Sequence, residues 1–529
     1  MTKRTSAAIA GTVSAAVLLA TALGRAQAPT GGALNPTNTA LWTAIDADKD
    51  GGIMRTEMKA AFGKWYDAAD TTRTGKVTIE QLGAALNTAL GLEVPPPAAP
   101  PAAGAAGGGA GAGGGRAGGA PAPAAAPVPG ACGGRANLPT VGQTPCPADV
   151  ANMMAALPAT APARPARARK ILVLGNARGY VHSSIPMAAK TIEELGKKTG
   201  AWTTTISYDP ADINAKNLEQ YDALFLSSTT GCFLDGKTAQ TAAGKEEVEA
   251  RKAALVAFVR GGKGLGGVHA TGDSYHGTCA NDQPAAGAAR GGGGGGRGGN
   301  AAGPGGTLAS VFVRWSWGLN DKKLQDIDLT MTKADMEAVG DRMYTELDPG
   351  QAGRVSREDF AARITPLVSQ ANQYVGSPGR DQGRGSWLDY DNMIGGWFKF
   401  HWLDPQEITV KIDDKNSPLT KMFNGQDFMV NDETYTYSVN SFSRKNVRVL
   451  TSINYDKMSF LAKLKESNPR PDHDYGLSWI KRDGQGRVFY MALGHNERIY
   501  AMKPMVEHLL AGMQYALGDL KADDAPSQK

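Results

Sequence analysis

From Val94 to Ala131 the chain carries a single charged residue, Arg116, in a run of Pro, Ala and Gly such as "PPPAAPPAAGAAGGGAGAGGG". Such a stretch cannot bury enough apolar surface to offset the entropy of ordering it. A second stretch of this kind runs from Pro284 to Gly306, "PAAGAARGGGGGGRGGNAAGPGG". Folded units must therefore be built from the chain outside these two segments. With 67 Gly and 30 Pro in 529 residues, part of the chain is predicted to stay unpacked.

The N-terminus reads as an export signal. Lys3 and Arg4 precede "AAIAGTVSAAVLLATAL", and small residues follow at Gly24, Ala26 and Ala28. Cleavage after Ala26 is expected, which makes 1–26 the signal peptide and places the protein in the periplasm or outside the cell. No later segment reads as a transmembrane anchor. Export permits disulfides. The simplest pairing of the four cysteines is Cys132–Cys146 with Cys232–Cys279, one of three connectivities that four cysteines allow. The net charge of +5 is small for this length, and no basic patch interleaves with aromatics. That argues against a nucleic-acid partner.

The predicted organisation is an EF-hand pair over 35–92, a Pro/Ala/Gly-rich linker over 93–167, and an α/β domain in two parts, 168–276 and 393–520. An insertion over 277–392 separates the two parts. The α/β domain announces itself as "KILVLGN", a helical "IPMAAKTIEELGKKTG", "TTTISYD", "YDALFLSST", a helical "KEEVEARKAALVAFVRGG" and "GLGGVHAT". Strand and helix alternating at this spacing predict a doubly wound, flavodoxin-like, mostly parallel sheet. The later strands, "ITVKIDD", "RVLTSINY", "LSWIKR" and "RVFYMALGH", stand too close together for crossover helices between all of them. They extend the sheet in mixed or antiparallel fashion.

"DADKDGGIMRTE" fits an EF-hand calcium loop at each ligand position. Asp46, Asp48 and Asp50 are the first three ligands, Gly51 makes the turn, Gly52 offers its carbonyl, and Glu57 closes the loop with two oxygens. Ile53 is expected to pair with the neighbouring loop. That neighbour, "DTTRTGKVTIEQ" from Asp70 to Gln81, keeps the skeleton but has Thr72, Thr74 and Gln81 where acids would stand. Shifted by 278 residues, Glu57 falls on Asp335, Tyr66 on Tyr344, Asp70 on Asp348, Gly75 on Gly353 and Val77 on Val355. The insertion therefore contains a decayed copy of the pair.

In an open parallel sheet, ligands bind beyond the carboxyl ends of the strands. His182, then Thr229 and Thr230, then His269 and Asp273 follow three successive strands there. His495 ends the late strand "VFYMALGH", and His401 is a further rim candidate. Gly266 and Gly267 are read as the residues that let the chain turn sharply before His269. A lone histidine near a strand end is usually structural; four at one rim are not easily so explained.

The segments "GYVHSSIPMA", "YDALFLSSTTG", "GGVHATGDSYH", "GGWFKFH", "VNDETYTY" and "FYMALGH" resemble the ThuA-like family, named for trehalose utilisation. The resemblance covers about 168–276 and 393–517. It implies a fold like that of class I glutamine amidotransferases, with His269 where those enzymes carry a nucleophilic Cys. Cys232 and Cys279 are not at that turn, so glutaminase chemistry is not expected. The resemblance implies a sugar-related role with His182, His269, Asp273, His401, Asp432, Glu433 and His495 as site positions.

Hydrolysis or elimination of 3-keto-glycosides is the reaction class expected, with His and Glu as acid and base. Of these, His182, His269 and Glu433 are the acid–base candidates. A divalent metal is an alternative electrophile, since His and carboxylates are apt ligands, although no H-E-x-x-H spacing is present. Besides Ca2+ in the first loop, the expected partners are a small carbohydrate and, through the insertion, a protein. The competing reading is a non-catalytic module that binds carbohydrate or protein at the cell envelope. Trp387, Trp397 and Trp402 are candidates to stack on sugar rings.

Overall fold

A computed structural model describes residues 34–92, 144–276, 279, 303–319, 330–369, 385–402, 406–465, 470 and 472–528. The predicted signal peptide, Cys132, and most of both Pro/Gly-rich stretches lie outside the described residues. No helix among the described residues is long and apolar enough to cross a membrane.

Lys170–Leu174, Thr203–Ser207, Ala223–Ser227 and Gly264–Val268 form the parallel half of a nine-stranded sheet. Three of these strands are apolar runs buried nearly throughout, as strands covered on both faces must be. Helices Ile185–Thr199 and Ala242–Arg260 supply crossovers. The first ends on Gly200 in the left-handed conformation (φ +67°). The second is capped by Thr241, whose hydroxyl accepts the Gly244 amide.

The sheet is not mostly parallel. Four of its pairings are parallel and four antiparallel. Gly486–Met491 lies parallel to Gly264–Val268. Beyond it come Gly476–Asp483, Arg448–Ile453, Glu407–Ile412 and Phe428–Asn431, all antiparallel. Connection length decides the pairing of Gly476–Asp483 with Gly486–Met491: a parallel return needs a crossover of about a dozen residues. Only Gly484 and Gln485 separate the strands ending at Asp483 and starting at Gly486, with Gly484 at φ +59°. A separate two-stranded ribbon, Phe398–Trp402 with Thr434–Tyr437, pairs His401 with Tyr435.

Helix Pro147–Ala156 falls inside the stretch read as linker. Its Met153, like Leu157 just after it, joins the α/β core. The apolar pair Met153–Met154 was the available signal, masked by the Ala- and Pro-rich flanks.

The N-terminal unit and the insertion form one hydrophobic core. The repeat holds in structure: helix Arg55–Ala69 has its counterpart in Lys333–Leu347, displaced by the same 278 residues. Ile53 does not pair with the neighbouring loop. Its strand pairs with Val355–Ser356, while Val77–Thr78 pairs with Thr330–Met331. The reason is length. One 15-residue helix separates the first two loops, and it spans about 22 Å. The two strands therefore sit at opposite ends of a rod, and each finds its partner at one end of the matching rod in the insertion. Phe62 meets Phe312 at 4.8 Å, and Trp42 meets Phe360 at 5.2 Å. The combined unit rests on the α/β domain through Phe460, whose ring touches Trp315 at 5.2 Å.

Candidate metal centre

Strand Gly264–Val268 ends on His269, which adopts φ +44°. That conformation is costly for any side chain but glycine. The neighbourhood holds it: Tyr490 Oη donates to the His269 carbonyl at 2.5 Å, and Tyr437 Oη lies 2.8 Å from Tyr490 Oη. The preceding glycines do not make the turn, contrary to the sequence reading. A Cβ on Gly266 would lie 2.2 Å from Met513 Sδ, and one on Gly267 would lie 2.6 Å from Thr271 Cγ2. They permit close packing, and the histidine itself bends.

His269 Nδ1 hydrogen-bonds the Ala492 carbonyl at 3.0 Å. A carbonyl only accepts, so Nδ1 carries the proton and Nε2 presents a lone pair. His495 Nδ1 lies 3.1 Å from that Nε2. Glu433 Oε1 lies 3.7 Å from His269 Nε2 and 3.5 Å from His495 Nδ1. The circle through these three atoms has a radius of about 2.0 Å, the length of a bond from nitrogen or oxygen to a zinc-like ion. The His182 ring stands edge-to-face on both other imidazoles, at 4.9 and 5.0 Å between centroids. The four residues each offer one ligand atom within 4.8 Å of the others, and all four are buried. Three imidazoles and one carboxylate form a donor set suited to a divalent transition metal.

The electrostatics agree. Burial, then the neighbouring His495, pushes the His182 imidazole down to about 3. Burial, with His182 and His495 beside it, holds His269 well below the usual range. Burial works to raise the Glu433 carboxyl, but hydrogen bonds with His401 and His495 outweigh it and hold the group well below its ordinary value. The cluster thus sets one carboxylate charge beside two imidazoles, His182 and His269, that burial keeps neutral.

The remaining expected residues divide by position. His401, on the ribbon, places Nδ1 3.2 Å from Glu433 Oε2 and supports that carboxylate from outside. Asp432 is buried and accepts the amides of Gly494, His495 and Asn496 and the Asn496 side chain, so it anchors the turn that carries His495. Asp273 is not among the four. Its Oδ1 lies 2.8 Å from His276 Nδ1, and burial raises its carboxyl above the usual value. His276 was missed in the sequence reading. It follows Asp273 by three residues in "GDSYH", the spacing of neighbours on one turn. Its ring lies edge-on to Trp397 at 5.1 Å.

Thr229 and Thr230 tie rim loops together, through Ser274 Oγ at 3.0 Å and the Tyr180 carbonyl at 2.8 Å. The three tryptophans are core residues. Trp402 is fully buried, with Nε1 donating to the Ala462 carbonyl at 2.8 Å, and Trp387 and Trp397 are buried as well. Cys232 and Cys279 form a disulfide at this same edge, with Cα atoms 5.6 Å apart. Cys146 is disulfide-bonded too, and its expected partner Cys132 lies outside the described residues.

The N-terminal loop brings Asp46, Asp48 and Asp50 within 4.8 Å of one another. Asp46 is buried, and its Oδ1 has no hydrogen-bond partner. Glu57 is not in the cluster as expected: its carboxylate accepts the amides of Ala47 at 3.1 Å and Met54 at 2.8 Å. The Met54 bond caps the following helix and the Ala47 bond closes the loop, and a cation would have to displace both. The Gly52 amide donates to Asp50 Oδ1 at 2.9 Å.

The family model described as "ThuA: Trehalose utilisation" matches residues 170–285 and 349–516, just over half of the chain. Two solved structures are similar. One is a ThuA-like protein from Bacteroides uniformis ATCC 8492, with 14% identity and a TM-score of 0.36, covering 70% of this chain and 99% of the other. The second is a ThuA-like protein from Parabacteroides merdae ATCC 43184, with 13% identity and a TM-score of 0.32, covering 67% and 92%. No curated protein matches the chain.

Proposed function

Since the chain belongs to the ThuA trehalose-utilisation family, we propose that it is an exported, metal-dependent enzyme acting on an oxidised carbohydrate. One observation carries the reading: His182, His269, Glu433 and His495 converge, buried, at the carboxyl edge of the parallel strands. A divalent metal held by these four would act as a Lewis acid on a ketone or hydroxyl oxygen.

The chain's own groups supply the proton chemistry. The buried imidazoles are weak bases, so they serve better as ligands than as the acid and base first expected of His182 and His269. Asp273 and His276 form a carboxylate–imidazole pair outside the ligand set. Asp273 orients the ring, and His276 accepts or returns a proton. In a 3-keto-glycoside, elimination breaks the C2–H bond and the C1–O bond. The proton goes to His276, the electron pair forms C1=C2, and the leaving oxygen departs with its own pair and is then protonated. Addition of water to the unsaturated ketone completes hydrolysis.

Closure of the ligand set favours a second reading. A metal fully enclosed by four protein ligands is structural, whereas a catalytic metal keeps an open position. The protein would then be a carbohydrate- or protein-binding module. Elemental analysis of the purified full chain should find one transition-metal ion per chain, lost in Glu433→Gln. Turnover of 3-keto-glucosides should vanish with Glu433→Gln and fall at least tenfold with His276→Asn at unchanged metal content. Metal retained without turnover on any keto-glycoside would leave the binding module.

Calcium in the first loop is the companion proposal. The buried, unpartnered Asp46 Oδ1 among three carboxylates supports it. The disulfides support an oxidising compartment and hence export.

A further inference from the structure

The first loop has the cation ligands, yet its strand is completed by the insertion. Gly52 pairs with Ser356 and Ile53 with Val355. Arg354 leaves that partner strand and lies across the loop. Its Nη2 donates to the Asp50 carbonyl at 2.7 Å and to Asp50 Oδ1 at 2.9 Å. A Cβ on Gly52 would lie 1.8 Å from Arg354 Nε, so the guanidinium occupies space that only glycine leaves open. The insertion thus contributes both the backbone edge that shapes the loop and a fixed positive charge beside a ligand carboxylate.

The contact extends beyond one arginine. Arg55 bridges to Asp341 at 2.7 Å, and Lys333 bridges to Asp67 at 2.7 Å. The Asn87 side chain accepts the Gly305 amide at 2.8 Å. Val77 and Val355, Phe62 and Phe312 sit in one buried core. Residues 34–92 have no separate core to fold around; the insertion supplies half of it.

We propose that calcium binding to residues 46–57 and docking of the inserted repeat onto the N-terminal unit are a single linked equilibrium, in which Arg354 sets the affinity. This rests on the reading of the first loop as a calcium site. Linkage runs both ways: a change that weakens docking without altering the charge beside the loop weakens calcium binding, and calcium must stabilise the docked insertion. Arg354 acts against the ion through charge while its hydrogen bonds hold Asp50 in place. Glutamine at that position keeps a donor for the Asp50 carbonyl and removes the charge.

The test uses the full chain and calcium chloride. Calorimetric titration of Arg354→Gln should give about threefold to tenfold tighter binding than wild type, the effect of removing one nearby charge in a solvent-exposed setting. Val355→Asp, which alters no calcium ligand, should weaken binding at least tenfold. Should that variant misfold, hydrogen exchange on the unaltered protein decides instead. Saturating calcium should slow exchange of amides in Lys333–Leu347, and Glu57→Gln should abolish the slowing. A wild-type chain that binds no calcium would remove the calcium reading itself. A chain that binds calcium with unchanged exchange in Lys333–Leu347, or with the same affinity in Arg354→Gln, would overturn the linkage alone.

Discussion

His269 shows how much a single residue can be asked to do. It closes a buried strand, bends at φ +44° and donates from Nδ1 to a carbonyl so that Nε2 is left bare. The left-handed region costs a non-glycine residue about 1–2 kcal/mol. His269→Gly should therefore be more stable than His269→Ala, by up to about 1 kcal/mol after the greater freedom of unfolded glycine is subtracted. Urea melts of the two metal-free variants measure this; equal midpoints would mean that the turn relaxes once the ring is gone. His508 is the contrasting case. Nδ1 bonds the Leu419 carbonyl and Nε2 accepts from Ser478, so it is a structural, neutral histidine. Burial pushes it down to about 4 from the usual 6.5. The unfolded chain takes up this proton first, so stability from His508 is full above pH 6.5 and is lost as pH falls through 4. That loss amounts to about 3 kcal/mol. His508→Gln should show a correspondingly smaller drop in urea-melt stability between pH 7 and pH 4.5 than the wild type.

Among the elements, the helix Lys503–Ala516 lies closer to the strands Gly264–Val268 and Gly486–Met491 than side chains usually allow. Gly266 lies under Met513, and Gly512 lies under Phe489. The first methyl group added at Gly266 must displace a buried thioether and the Phe225 ring. Gly266→Ala should cost about 1–3 kcal/mol, the usual penalty of overpacking, and should disturb the site through the shift of His269. A variant with unchanged melting would mean that Met513, a flexible side chain, absorbs the change. The antiparallel half of the sheet has a different logic. It carries no ligand of the cluster on its strands, but the separate ribbon beside it carries His401, and the connection from Phe428–Asn431 into that ribbon carries Glu433.

For the whole molecule, the arrangement joins two units that the sequence separates. The helical unit takes its two halves from either side of the α/β domain's first part. Deleting residues 1–92 should expose Phe312, Met336 and Val355, all now buried. Such a protein should bind a hydrophobic dye strongly and associate in gel filtration, while the α/β domain keeps its own cooperative unfolding. Dye binding equal to that of the intact chain would show that the inserted repeat closes on itself.

The sequence determined the local pieces. Apolar runs with crossover helices marked the parallel strands, the acidic loop marked three converging carboxylates, and the shift of 278 residues marked the repeat, because each is written in neighbouring residues. The rim position of His182, His269 and His495 was also legible, since strand polarity places their loops at one edge. Tertiary structure alone decided the rest. Which loop pairs with which follows from the length of a rigid helix and the presence of a second rod. That the His182 and His269 imidazoles are held below their usual range follows from burial. His276 joined the site only when its ring and Asp273 were seen together. The strand pairing and the burial depend on packing between segments far apart in the chain, which periodicity and composition do not encode.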